Sequence, residues 1–119
     1  MNQPIPKVTD ADVERIAVRD FGKAQLSQVM EILQEYGKQE WNRPGGPRVR
    51  LAILKLANGD LEQLSMHTKI AIQDGRDVLS LAEYPRWTAE VGFDEVTRKV
   101  ERAVIDEDWK QYREWLEKE

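Results

Sequence analysis

Three arginines, Arg43, Arg48 and Arg50, bracket the turn Pro44-Gly-Gly-Pro47, where a new helix is expected to start. The free N–H groups of a helix amino terminus favour anions. Exposed cations in that first turn oppose the helix dipole by about 0.3–1 kcal/mol each. Something negative should therefore sit beside them. A phosphate-bearing ligand would serve, and so would a carboxylate of the acidic carboxy-terminal segment, in this chain or a second copy. Neither a Gly-x-x-x-x-Gly-Lys-Ser/Thr loop nor a dinucleotide-type glycine spacing occurs, so no standard nucleotide motif supports the first option.

His67 is the sole histidine and cysteine is absent, which excludes thiolate zinc sites, thiol catalysis and disulfides. At helical spacing His67 has Gln63, Leu64, Ile70 and Ala71 as neighbours, so no orienting acid lies nearby and no Glu-x-x-His metal signature forms. Asp74 and Asp77, three apart, could share a helix face with Glu83 further along, and paired carboxylates can hold a cation or move protons. Arg76 stands between the aspartates and favours ordinary ion pairing. Neither a metal nor a cofactor is expected. Four tryptophans are many for a chain of 119 residues, and aromatic side chains concentrate at contact centres. Trp41, Trp87, Trp109, Tyr112 and Trp115 are the interface candidates, with closure of the helical core as the alternative use.

The elements that carry these residues follow from composition and pattern. Leu, Ile, Val and Phe supply 29 of 119 residues, above the ~20% at which chains tend to stay unfolded. The net charge is −4, and residues 1–87 hold twelve basic and twelve acidic side chains, so the whole excess falls after residue 87. A basic nucleic-acid module is excluded by this balance. The longest apolar-rich stretch, Val49 to Ala57, contains Arg50 and Lys55 and is too short for a bilayer. A cytoplasmic protein with neither membrane nor nucleic acid as partner is the expectation.

Residues 1–8, with Pro4 and Pro6, read as a flexible lead-in, and 9–119 as one helical domain. Thr9 offers an N-cap to a helix carrying Val13, Ile16 and Ala17 and broken by Gly22. Leu26, Val29, Met30, Leu33 and Tyr36 form the stripe of a second helix, ended by Gly37. Arg48 to Ala57 is apolar on nearly every side, which predicts a helix surrounded by others. Asn58-Gly59 closes it, and Asn58 or Asp60 caps a long helix expected over Asp60 to Tyr84, with a break at Asp74-Gly75 as the alternative. Its stripe of small residues (Thr68, Ala71, Gly75, Ala82) would let a neighbour approach closely. The last segment has two stripes out of phase by one residue: Phe93, Val96, Val100, Val104, then Ile105, Trp109, Tyr112, Leu116. A bend or fresh start near Asp106 would reconcile them, with Asp106-Glu107-Asp108 capping the new helix. No segment alternates with period two, so the fold class is all-α, a compact bundle of four to six helices.

The sequences Arg48-Val-Arg-Leu-Ala-Ile-Leu-Lys-Leu-Ala-Asn-Gly-Asp-Leu-Glu62, Arg76-Asp-Val-Leu-Ser-Leu-Ala-Glu-Tyr-Pro85 and Asp108-Trp-Lys-Gln-Tyr-Arg-Glu-Trp-Leu116 resemble a family of small bacterial helical proteins without an assigned biochemical function. The resemblance spans about residues 48–116 and implies a compact helical domain; it transfers no catalytic residue. Gly75 stands where that family has a tyrosine, which implies that the glycine is present for space or by drift rather than for a special backbone angle.

The functional expectation is a non-enzymatic protein-interaction or self-associating module, with the small-residue stripe or the aromatic carboxy terminus as the dimer contact in the second case. The alternative is a small anion-binding domain or enzyme built on Arg43, Arg48 and Arg50, on His67, or on Asp74 and Asp77.

Overall fold

The computed structural model describes residues 7–36, 46–85 and 98–118, with the backbone alone over 98–102. Helix α1, Asp10–Phe21, starts where Thr9 donates its N–H to Asp12 Oδ2 at 3.0 Å. It stops at Gly22, whose φ of 82° suits a residue without Cβ. A 3-10 turn over Lys23–Gln25 leads into α2, Leu26–Leu33. Helix α3, Gly46–Ala57, begins one residue before Pro47 and two before the expected Arg48. Asn58 (φ 50°) and Gly59 (φ 79°) turn the chain into α4, Leu61–Gln73. The Asp60 carboxylate caps α4 by accepting from the N–H groups of Glu62 and Gln63 at 2.8 and 3.1 Å.

The long helix expected from Asp60 to Tyr84 is two helices. Asp74 adopts an extended conformation, φ −154° and ψ 98°, and its side chain accepts from the Arg76 N–H, so it caps a separate α5, Gly75–Glu83. Gly75 itself does not have positive φ. A Cβ there would lie 3.3 Å from the Tyr36 hydroxyl, closer than an ordinary contact, and at normal packing distance, 3.7 Å, from Val49 Cγ2, so the hydroxyl is what crowds the position.

The last helix, α6, Arg98–Glu117, is continuous through Asp106, which removes the bend expected there. Val104, Ile105, Asp108 and Tyr112 are all buried. At 100° per residue these four span one face about 100° wide, which an unbroken helix can bury, while Phe93 and Val96 of the first stripe lie outside the described residues. The Asp106-Glu107-Asp108 run is therefore mid-helix and caps nothing. The sequence pattern missed this because it took the acidic run as a helix start, whereas Asp108 is fully buried on the inner face.

Packing is ordered around α3. Leu51, Ala52, Ile53 and Leu54 are fully buried, and α1, α4 and α5 all lie against this helix. The contiguous apolar core continues through Val13, Ile16, Val29, Leu33, Leu64 and Val78, and Val8 packs against its edge. The small residues Thr68, Ala71 and Ala82 are buried inside the domain. The described residues are helical and turn structure in one compact all-α domain, and no helix among them is long and apolar enough to cross a membrane.

Candidate functional site

The counter-charge expected for the arginines was a phosphate-bearing ligand or the acidic carboxy-terminal segment. Arg48 finds Glu83 instead, at the end of α5. Its Nε donates to Oε2 at 2.8 Å and its terminal nitrogen to Oε1 at 2.6 Å, a two-pronged pair. Glu83 is 1% exposed and the Arg48 side chain 29%. The hydrogen bond to Glu83 holds the Arg48 guanidinium above its ordinary pKa. Arg50 donates to the carbonyls of Leu33 and Tyr36, at 3.3 and 2.7 Å, and so satisfies the carboxy-terminal end of α2. Arg43 lies outside the described residues, as do Trp41, Trp87 and Gly37. Both described arginines thus have partners within the chain.

Around the Arg48–Glu83 pair runs a buried polar seam between α6 and the body. Tyr112 is fully buried, and its hydroxyl has no hydrogen-bond partner among the described residues. Burial, with the charge of Glu83 second, pushes that phenol well above the usual tyrosine range. Gln111 donates to the carbonyls of Ala82 and Glu83 at 3.3 and 3.4 Å. Lys55 of α3 is held below the ordinary lysine pKa by burial, against the opposing charge of Asp108. At the far end Arg15 donates to the Leu116 carbonyl at 2.8 Å and Arg19 to that of Lys118 at 2.8 Å and to that of Trp115. Two α1 arginines thus neutralise the negative end of α6. Sequence reading missed them, because nothing local marks an arginine whose acceptor lies about a hundred residues away.

The aromatic candidates on α6 face inward or lie along the seam. Tyr112 stacks on Trp109 with centroids 6.4 Å apart and sits 5.6 Å from Trp115. The Arg19 guanidinium lies 5.1 Å above the Trp115 ring. Trp109 and Trp115 are half-buried.

The remaining titratable candidates are dispersed. Asp74 is engaged as a cap and by the Arg76 side chain at 3.2 Å, which holds its carboxyl below the usual range. Asp77 is exposed. Among the described residues no three His, Asp or Glu side chains come together in a way that could hold a metal ion. His67 is half-buried on α4, and burial lowers its imidazole below the ordinary 6.5. A lowered histidine pKa means that the unfolded chain binds the proton more tightly. Stability should therefore fall as pH drops through 6.5 towards the folded value. Denaturant titrations of the parent and of His67→Gln at neutral pH and about pH 5 should show a smaller acid loss in the variant. Equal losses would contradict the assignment to His67.

The clearest surface feature lies elsewhere. Between α2 and α4 runs an apolar groove of about 340 Å³, lined by Ile32, Thr68 and Ile72 with Glu35, Ser65 and Lys69 at its rim. Beside it on α4, Met66 is 44% and Ile70 37% exposed. Groove wall and exposed pair together form a continuous strip along the outer side of α4: Ile72, Ser65, Lys69, Met66, Ile70 in angular order. The sequence already contained Met66 and Ile70, but only the pairing of α2 with α4 turns Ile32 and Ile72 into a groove.

No known family model, curated protein or solved structure matches this chain.

Proposed function

We propose that the chain is a non-enzymatic protein-interaction module of the cytoplasm, and that the outer side of α4 with its α2 groove is its binding face. The observation that carries this is the juxtaposition of the apolar groove with exposed Met66 and Ile70. A groove flanked by one acidic and one basic side chain suits an amphipathic helix, whose apolar side chains at three- and four-residue spacing enter the cleft. A contiguous apolar strip rimmed by polar residues marks an interaction site, whereas a lone exposed residue such as Leu81 carries no such signal. The partner is a second copy of this chain or another protein that presents such a helix.

The competing anion-binding or catalytic reading has less support. Arg48, Arg50 and Asp74 are engaged internally, and His67 makes no hydrogen bond among the described residues. The cysteine-free composition accords with the cytoplasm.

Ile70→Glu places a charge in the centre of the proposed face without touching the core. Sedimentation velocity over a wide concentration range, and capture of partners from cells of the natural host, should both report association that weakens at least about tenfold. Thermal stability should stay within about 0.5 kcal/mol of the parent. Association unchanged by Ile70→Glu would remove α4 as the binding face.

A further inference from the structure

Helix α4 carries one acidic and one basic side chain, Glu62 and Lys69. Both are exposed, and neither the carboxylate nor the ammonium has a partner among the described residues. The reason is local. Three and four residues from Glu62 stand Asn58, Gly59, Ser65 and Met66, and from Lys69 stand Ser65, Met66, Ile72 and Gln73. No opposite charge therefore lies at the spacing that pairs side chains on a helix. Two turns apart, Glu62 and Lys69 are separated by about 10.5 Å along the axis and by only about 20° around it. They form one stripe with ends of opposite sign, and Ser65 and Met66 stand midway along it. The stripe runs down the outer side of α4, with exposed Met66 and Ile70 on one flank and Ser65 and Ile72 of the groove on the other.

We propose that the partner of this face is a second copy of the chain, its α4 packed antiparallel across a two-fold axis between Ser65 and Met66. The proposal rests on the α4 binding face and names its occupant. A two-fold interface sets residue i against j and j against i. About an axis at that point Glu62 of each copy meets Lys69 of the other, so the four charges form two ion pairs, and Met66 meets Met66. Other registers lose this match. A parallel copy sets Glu62 against Glu62 and Lys69 against Lys69. An antiparallel copy shifted by one turn sets each charge against a neutral residue. The stripe is thus complementary to itself in one arrangement, in which the charges fix the register and the apolar flank of Met66 and Ile70 leaves water.

Charge reversal tests the pairing, read by sedimentation velocity of the full-length chain alone and in mixtures with one component fluorescently labelled. Glu62→Lys and Lys69→Glu should each weaken self-association at least about tenfold, because like charges then face each other at both ends. Mixed together, the two variants should associate as the parent does, since every facing pair is again opposite. The double variant Glu62→Lys/Lys69→Glu should associate with itself but not with the parent. Both positions are exposed, so the variants should keep the parent's circular dichroism. Single reversals that leave self-association unchanged, or two variants that fail to associate with each other, would overturn the proposal. A parent that stays monomeric at every concentration would overturn it too. If Ile70→Glu then still abolishes capture of another protein from the host, the α4 face stands and only its occupant is wrong. Self-association that Ile70→Glu leaves unchanged would remove the face itself.

Discussion

Arg48→Met should destabilise the domain by about 3–5 kcal/mol, measured by denaturant unfolding at neutral pH. Methionine keeps most of the stem's apolar volume, so the loss is electrostatic. Glu83 is 1% exposed and both its oxygens accept from Arg48, so the variant leaves a carboxylate buried with its strongest donor gone. Removing the other partner should cost less. In Glu83→Gln the guanidinium, with 29% of its side chain exposed, can still reach water. The order of the two losses is itself diagnostic, because a loose surface pair would lose ~0–1 kcal/mol from either side. The double variant Arg48→Met/Glu83→Leu should recover most of the loss, since well-packed apolar replacements of a buried pair are often neutral. A loss below about 1 kcal/mol in Arg48→Met would show that the pair does not hold α3 to α5.

Gly75→Leu should cost about 1–3 kcal/mol through overpacking. The Tyr36 hydroxyl already crowds its first side-chain carbon at 3.3 Å and Val49 stands at contact distance, 3.7 Å, so the carbons beyond Cβ have little room. Because Gly75 does not have positive φ, Gly75→Ala brings no backbone strain and should stay within about 1 kcal/mol of the parent. The test of cause is the background Tyr36→Phe, which deletes the crowding oxygen. There Gly75→Ala should turn stabilising by up to about 1 kcal/mol, the usual gain of alanine over glycine in a helix. If Gly75→Ala is equally unfavourable with and without the hydroxyl, crowding by Tyr36 is not why this position is glycine.

These two residues also show what could be read in advance. Arg48 stands out in the sequence as a cation at a helix start, and the need for a nearby negative charge follows from the dipole. Its partner did not follow, because Glu83 lies 35 residues away and the pairing depends on the end of α5 reaching the start of α3. Gly75 was legible as a place for a small residue, while the neighbour that crowds it, Tyr36, lies in the turn after α2. The all-apolar character of Val49 to Ala57 announced the central helix, since no surface helix could carry it. Local signals at Thr9, Gly22 and the Asn58-Gly59 turn placed those helix ends within a residue, because caps act over three or four positions, while the cap of α4 was left between Asn58 and Asp60 and is Asp60. Helix α6 was misread near Asp106 for the opposite reason. A buried aspartate is stabilised by its surroundings in the folded domain, here with Lys55 close by, and no local rule anticipates it. The α2–α4 groove shares that origin, as Ile32 and Ile72 are ordinary stripe residues until their helices lie side by side.

The account stands or falls on whether the outer side of α4 meets another protein. Site-specific photo-crosslinking in the natural host tests this most directly, with the reactive group placed in turn at Met66, at Ile70 and at Glu14, an exposed residue of α1. A discrete adduct from positions 66 and 70, and none from 14, is the predicted result; its mass would separate a second copy from another protein. No adduct at 66 and 70, or equal labelling at all three positions, would contradict the assignment of that face.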